Sequence, residues 1–319
     1  MNILVNDGIS PAGLDRMKQA GLNVHEVHVA QEQLENYINE HQIDALCVRS
    51  NTQVPSELLE NCPSIKIVGR GGVGMDNIDV SYAQENGIEV INTPLASSHS
   101  VAELVFAHLS GIVRSLPDSN RNMPLEGDAM FKDLKKVYSA TGRELKGKTM
   151  GIFGLGQIGQ ATAKIALAMG MKVIAFDPYV KDITLSIDFF DGQMVNFSIE
   201  TQDKETVLKE ADFISLHVPS QDTYLIGEKE FEMMKSTAVL INASRGDVVD
   251  EVALVQALSS DQIAFAGLDV FENEPKPAVQ ILMHPQISLS PHIGASTAEA
   301  QERVGLELAD KIIALSKTL

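Results

Sequence analysis

Short apolar runs alternate with longer, more polar stretches along the first hundred residues, and each run breaks off at glycine or a polar turn. "NILVND", "LNVHEV", "DALCVRS", "KIVGRGG" and "IEVINT" read as strands, with helical stretches between several of them. That alternation predicts a parallel sheet joined by crossovers. The next stretch, "SVAELVFAHLSGIVRSLP", sets Val101, Leu104, Val105, Leu109, Ile112, Val113 and Leu116 on one stripe, and Ser100 with Glu103 has the spacing of a capping box at its start. It predicts a helix. From 117 to 147 the chain is polar, holds Pro117, Pro124 and several lysines, and lacks a clean period, so it reads as an irregular arm with short helical pieces.

A second alternating series starts at 148, with strands expected at about 149–153, 172–176, 213–217, 237–242, 263–268 and 287–289. The stretch 180–205 is long for a strand-to-helix link and leaves room for strands of its own. A closing helix, "STAEAQERVGLELADKIIALSK", opens on a capping box at Ser296 and Glu299 and lines up Val304, Leu308, Ile312 and Leu315, with no strand after it to pair. At 319 residues the chain exceeds what one core usually serves, which predicts two α/β domains, each a doubly wound parallel sheet.

Charge narrows the partners. With 25 Lys plus Arg against 43 Asp plus Glu the net charge is -18, which repels phosphate backbones and anionic lipid, so neither nucleic acid nor a membrane is expected. No apolar run approaches the ~18 residues of a bilayer span, and "MNILVNDGIS" lacks the basic and apolar regions of a leader, so the expected location is cytoplasmic. Cys47 and Cys62 are the two cysteines, without zinc-type spacing; free thiols and no metal are expected. Against so acidic a field an anionic substrate needs local cations, which makes single arginines informative.

Mid-chain, "TMGIFGLGQIGQ" places Gly154, Gly156 and Gly159 at the GxGxxG spacing between a strand and a helix. Gln157 and Ile158 at the helix start would offer backbone N–H groups to a pyrophosphate. "MKVIAFDP" then ends a strand at Asp177, where an acid can accept both adenosine ribose hydroxyls of NAD and repel the 2′-phosphate of NADP. As a bare turn acid before Pro178 it would do neither. Later strands also end in polar clusters: Val218-Pro219, then Ala243-Ser244-Arg245-Gly246, then Asp269 and Glu274, then Pro291-His292. Each has an ordinary explanation taken singly, as a solvated charge or a turn residue. Together they supply a base for a hydroxyl proton, an acid to orient that base and a fixed cation for substrate oxygens.

"GLGQIG", "INASRGDVVDE", "GLDVFENEP" and "SPHIGAST" resemble the successive signatures of the D-isomer-specific 2-hydroxyacid dehydrogenases, over nearly the whole chain. The resemblance implies a Rossmann nucleotide domain, 98–292, inserted into a flavodoxin-like substrate domain made of 1–97 plus 293–319. It explains why nearly half the chain precedes the glycine turn. It implies that Arg245 binds the substrate carboxylate and carbonyl oxygen, that His292 exchanges the proton, and that Glu274 pairs with the imidazole. Asp269 would face the nicotinamide ribose side. Pro219, Ala243, Ser244, Arg245, His292 and Gly294 complete the expected cofactor set.

In the substrate domain the backbone of Gly72, Val73 and Gly74 would meet the carboxylate, and Arg49 and Arg70 are candidates for a substrate phosphate. "CVRSNTQV" and "VGRGGVGMDNID" look most like the branch acting on 3-phosphoglycerate, in a short form without the carboxy-terminal regulatory domain of longer relatives. Two departures stand out. Ser97 occupies a position where asparagine is common, and the arm has no tryptophan because the protein has none. A homodimer and a small anionic 2-hydroxy or 2-keto acid are the implied partners. A hydroxypyruvate or glyoxylate reductase, and a non-enzymatic NAD-sensing protein like the corepressors of this fold, stay open as alternatives.

Overall fold

A computed structural model describes the backbone of residues 1–318, with side chains apart from those of 125–130. It divides into one unit of Met1–Ser100 with Ala295–Leu319 and another of Val101–Gly294.

In the first unit β1 (Asn2–Val5), β2 (Asn23–His25), β3 (Ala45–Val48), β4 (Ile67–Arg70) and β5 (Glu89–Ile91) form a parallel sheet in the order β2-β1-β3-β4-β5. That is the flavodoxin order, whose direction of winding reverses between β1 and β3. The helices are α1 (Pro11–Gln19), α2 (Leu34–His41), α3 (Ser56–Asn61) and α4 (Val80–Glu85), joined by the closing helix Ala298–Leu315. Period-two alternation splits each strand between two cores. Leu4, Leu46 and Val68 pack with Leu34 and Ile38 on one face, while Ile3, Val5, Cys47 and Ile67 pack with Met17, Leu308 and Ile312 on the other.

The closing helix lies against α1 so closely that a Cβ on Gly13 would overlap the Gly305 backbone. Its cap is Thr297, whose Oγ1 accepts from the Ala300 N–H at 3.1 Å, and not Ser296. Thr297 has the extended φ and ψ that a cap needs, and the helix begins one residue later than the Ser-x-x-Glu spacing suggests. Both cysteines are free and buried, and burial pushes the Cys47 thiol up to about 12, which makes it inert.

The second unit contains β6 (Thr149–Phe153), β7 (Lys172–Phe176), β8 (Asp182–Asp188), β9 (Met194–Glu200), β10 (Phe213–Leu216), β11 (Val239–Asn242), β12 (Phe265–Leu268) and β13 (Ile287–Leu289). Its helices are α5 (Ser98–Val113), α6 (Leu116–Thr141), α7 (Gln157–Ala168), α8 (Lys204–Glu210), α9 (Glu228–Met233), α10 (Glu251–Ser259) and α11 (Val279–Leu282). Six parallel strands lie in the order β13-β12-β11-β10-β6-β7. Beyond β7, Thr201 bridges Ala175 in parallel, a vestige of the third strand in the usual dinucleotide-binding order. Residues 182–200 form the antiparallel hairpin β8-β9, whose Leu185 and Ile199 are buried in the core.

Two expectations in this unit need correction. Helix α5 starts at Ser98, so Ser100 lies inside its first turn and is not the cap; Ser98 instead donates from Oγ to the Leu95 carbonyl at 2.7 Å. Residues 117–147 are mostly helical, as α6, not an irregular arm. Pro117 sits in the first turn, where its missing N–H costs nothing, whereas Pro124 lies inside the helical segment, where its ring removes an internal hydrogen bond and favours a bend. The segment is not one straight rod. Tyr138 donates to Asp118 at 2.8 Å, whereas a straight helix would hold residues that far apart in sequence at ~30 Å. The Arg143 N–H meets the Val113 carbonyl at 2.9 Å, so the chain leaves and returns at one point. Among the described residues no helix is long and apolar enough to cross a membrane.

Candidate active site

Because the six strands of the second unit are parallel, their carboxyl ends fall on one edge, and the register brings successive loops side by side. The Asp269 N–H donates to the Asn242 carbonyl at 2.9 Å, and the Ser290 N–H to the Leu268 carbonyl at 3.0 Å. These rungs set the loops after β11, β12 and β13 next to one another.

The glycine turn has three glycines with three different reasons. Gly154 has φ of 92°, and a Cβ there would overlap the His217 carbonyl. A Cβ on Gly159 would overlap the Gly154 carbonyl, so α7 lies close to β6 only because that atom is missing. At Gly156 a Cβ would meet no protein atom within 4 Å. Its bareness therefore faces open space, as backbone approach by a ligand requires. Gly156 is the cap of α7, so the N–H groups of Gln157 and Ile158 belong to the first turn, which has no intrahelical acceptor. The residues present fit a dinucleotide pyrophosphate.

Asp177 follows β7 and accepts the Leu155 N–H at 2.7 Å on one oxygen, and the Tyr179 and Val180 N–H groups at 2.8 and 3.1 Å on the other. It thus ties the glycine turn to the end of β7. The carboxylate keeps acceptor capacity beyond these three bonds.

Arg245 caps the short turn after β11 and donates from Nη1 to the Ser244 carbonyl at 2.7 Å. Asn242, 1 % exposed, shapes that loop from within. Its Oδ1 accepts the Ser244 N–H and hydroxyl at 3.1 and 2.8 Å, and its Nδ2 donates to the Arg245 carbonyl at 2.8 Å. Sequence reasoning passes over Asn242, although a polar residue ending the run "AVLIN" is a signal for such a role. Ala243 and Ser244 are buried within this loop, and Pro219 is exposed after β10.

His292 stands in the loop after β13, and its Nδ1 lies 2.7 Å from Glu274 Oε2. The other Glu274 oxygen accepts the Phe271 N–H at 3.0 Å, which fixes the carboxylate. An ionised carboxylate can only accept, so Nδ1 carries the proton and Nε2 of the neutral ring keeps a lone pair to act as base. The His292 side chain is 52 % exposed. Two other histidines near this edge are held toward the neutral form: burial lowers His108, against an upward pull from Asp269, and pushes His217 down to about 3. Asp269, 1 % exposed, accepts the Ile293 and Gly294 N–H groups at 2.9 and 2.8 Å, and its carbonyl accepts the His292 N–H at 2.8 Å. Arg245, Glu274, Asp269, His292 and Gly294 thus belong to adjoining loops of one edge, which can hold an oxygen-bearing substrate and exchange its proton.

In the first unit Asp7, after β1, accepts the Arg49 N–H at 2.6 Å and the Thr52 N–H at 3.1 Å. Arg49 follows β3, at the reversal of winding where open α/β sheets bind ligands. Arg49 is half-buried, and its guanidinium makes no hydrogen bond or ion pair among the described residues. Arg70 ends β4, donates from Nη2 to Ser50 Oγ at 3.2 Å, and lies over Gly72, where any Cβ would overlap the guanidinium. Val73 accepts from Asn92 through its carbonyl at 2.7 Å, Gly74 belongs to the same loop, and Ser97 is buried.

Residues 106–294 match the family model for the D-isomer specific 2-hydroxyacid dehydrogenase, NAD binding domain. The chain is 41 % identical to a hydroxypyruvate reductase of Thermotoga maritima, over 93 % of this chain and 92 % of that one. It is 37 % identical to a D-3-phosphoglycerate dehydrogenase of Archaeoglobus fulgidus over its full length, but spans only 58 % of that relative. Among solved structures, an NADPH-dependent glyoxylate/hydroxypyruvate reductase from Sinorhizobium meliloti superposes with a TM-score of 0.79 at 27 % identity, covering 99 % of this chain and 95 % of that one.

Proposed function

This chain belongs to the D-isomer-specific 2-hydroxyacid dehydrogenase family, an NAD-binding family of oxidoreductases, and from that premise we propose that it oxidises 3-phosphoglycerate to 3-phosphohydroxypyruvate. In this reading Arg245 holds the carboxylate and the oxygen on carbon 2, and stabilises charge developing there. His292 takes the hydroxyl proton at Nε2, while Glu274 keeps the ring oriented and stabilises the imidazolium that forms. The glycine turn, with Gly156 and the N–H groups of Gln157 and Ile158, would hold NAD, which would supply the hydride acceptor for carbon 2. Asp177 selects NAD by accepting the ribose hydroxyls. The reading carries with it a cytoplasmic homodimer working in serine biosynthesis.

The observation that favours a phosphorylated acid is Arg49, a half-buried residue whose guanidinium has no partner among the described residues, at a ligand-binding position of its sheet. In a chain of net charge -18 a trianion gains little from the global field, so local cations must hold it. Arg49→Ala is expected to raise KM for 3-phosphoglycerate by about ten- to a hundredfold, the worth of a charge-assisted contact, and to change KM for D-glycerate far less. Equal effects on both acids would favour the second reading, a hydroxypyruvate or glyoxylate reductase. That reading draws on the Thermotoga reductase, which this chain covers almost from end to end. A chain that turns over none of these acids in either direction would instead be an NAD-sensing partner protein.

Cofactor choice is a separate expectation. The unmutated protein should prefer NAD to NADP, and Asp177→Ala should narrow that preference by removing repulsion of the 2′-phosphate. Because Asp177 also ties down the Leu155 N–H, the same change should weaken binding of NAD itself. Fluorescence titration of both reduced cofactors against both proteins measures this, and equal affinities in the unmutated chain refute it.

A further inference from the structure

His108 projects from α5 into the sheet of the second unit and is 6 % exposed, yet both of its ring nitrogens are engaged. Nδ1 lies 2.8 Å from Ser288 Oγ, and Nε2 lies 2.8 Å from Ser290 Oγ. The two serines alternate on one face of the β13 end. The neighbouring strand makes room for the ring: a Cβ on Gly267 of β12 would stand 3.1 Å from His108 Cβ and 3.3 Å from its Cγ. Two residues on, Asp269 receives the Ser290 hydroxyl on Oδ1 at 2.6 Å.

The direction of every proton along this relay follows. Ionised, Asp269 can only accept, so Ser290 donates to it and must accept from His108 Nε2–H. The neutral ring then accepts at Nδ1 from the Ser288 hydroxyl. Burial disfavours the charged ring, in keeping with a neutral imidazole. Asp269 is itself buried, and a buried carboxylate must have its hydrogen bonds supplied in fixed directions. It also accepts the N–H groups of Ile293 and Gly294, and its carbonyl holds the His292 N–H. His292 has φ of 53°, a left-handed backbone that a residue with a Cβ holds only where its surroundings impose it.

We propose that His108 is a positioning residue: acting through Ser290 and Asp269, it fixes the backbone of the loop that carries His292. The proposal rests on the dehydrogenase reading for its effect on turnover, but not for its effect on the loop. His108→Leu keeps an apolar side chain on the α5 stripe and removes both bonds. His108→Gln keeps a donor for Ser290 but has no ring that titrates. Ser290→Ala cuts the same link with minimal change in volume, and serves if the leucine variant does not fold.

Turnover of the acid that the unmutated enzyme uses is expected to fall about ten- to a hundredfold in His108→Leu and in Ser290→Ala, with the NADH dissociation constant within about twofold. His108→Gln should recover most of it. Spectra of the protein labelled with ¹⁵N in histidine give the second readout. His108 should show the Nε2–H tautomer, and the His292 ring signals should shift in the leucine and alanine variants but not in the glutamine variant. Unmoved His292 signals, an Nδ1–H or cationic His108, or equal losses in leucine and glutamine variants would each overturn the proposal. An unmutated chain that turns over no 2-hydroxy acid would overturn the functional reading alone, and the spectra would still decide the positioning.

Discussion

Replacing His292 with asparagine is expected to lower turnover by about 10²- to 10⁴-fold, the usual contribution of a positioned proton acceptor. Asparagine can still donate a hydrogen bond toward Glu274, which His292 Nδ1 meets at 2.7 Å, but it presents no basic nitrogen to the substrate. NADH affinity should therefore change little. Oxidation requires the ring neutral and reduction requires it protonated, so in the unmutated enzyme the two directions should bend oppositely with pH, and in the variant both bends should vanish. Steady-state rates in both directions, with a fluorescence titration of NADH, check all three points. Activity within about tenfold of the unmutated enzyme would remove His292 from proton exchange.

Gly159→Val should abolish measurable cofactor binding and lower stability together. Even a Cβ on Gly159 overlaps the Gly154 carbonyl, so valine must push α7 away from β6 and distort the turn between them. Overpacking of this kind costs about 1–3 kcal/mol or more, several degrees of melting temperature in a unit of this size. Gly156→Val provides the contrast. Its side chain enters space in which a Cβ meets no protein atom within 4 Å, so stability should hold while NADH binding is lost. Melting curves and NADH titrations on both variants separate the two roles; a stable Gly159→Val that still bound NADH would contradict the geometry.

The fold class is legible in the chain because strands buried on both faces read as apolar runs that stop at their polar ends. Those stops are also where Asp177, Arg245, Asp269 and His292 stand, so much of the candidate site can be read from strand termini alone. Residues that act from inside a core leave a fainter trace. His108 lies three positions after Val105 and one before Leu109, on a stripe that reads as plain packing, and only its polarity sets it apart. Asn242 is hidden in the same way at the end of β11. The segment 117–147 misleads for a different reason: an exposed helix that folds back on itself shows no single apolar stripe, and Pro124 reads as a stop signal. Both capping boxes fall off register because Ser-x-x-Glu marks a spacing without fixing where the helix begins: α5 starts two residues before Ser100, and in the closing helix the neighbouring Thr297 takes the cap.

The closing helix also sets an order of events on the ribosome. Ile3, Val5 and Ile67 of the first sheet find part of their cover in Leu308 and Ile312, residues translated after the whole second unit. At about 5–20 residues per second, nearly two hundred intervening residues take roughly ten to forty seconds. The nucleotide-binding unit can fold in that interval, while one face of the earlier sheet waits partly bare. Nascent chains stalled before residue 295 should therefore bind chaperones that recognise apolar surface, and release them once the closing helix emerges.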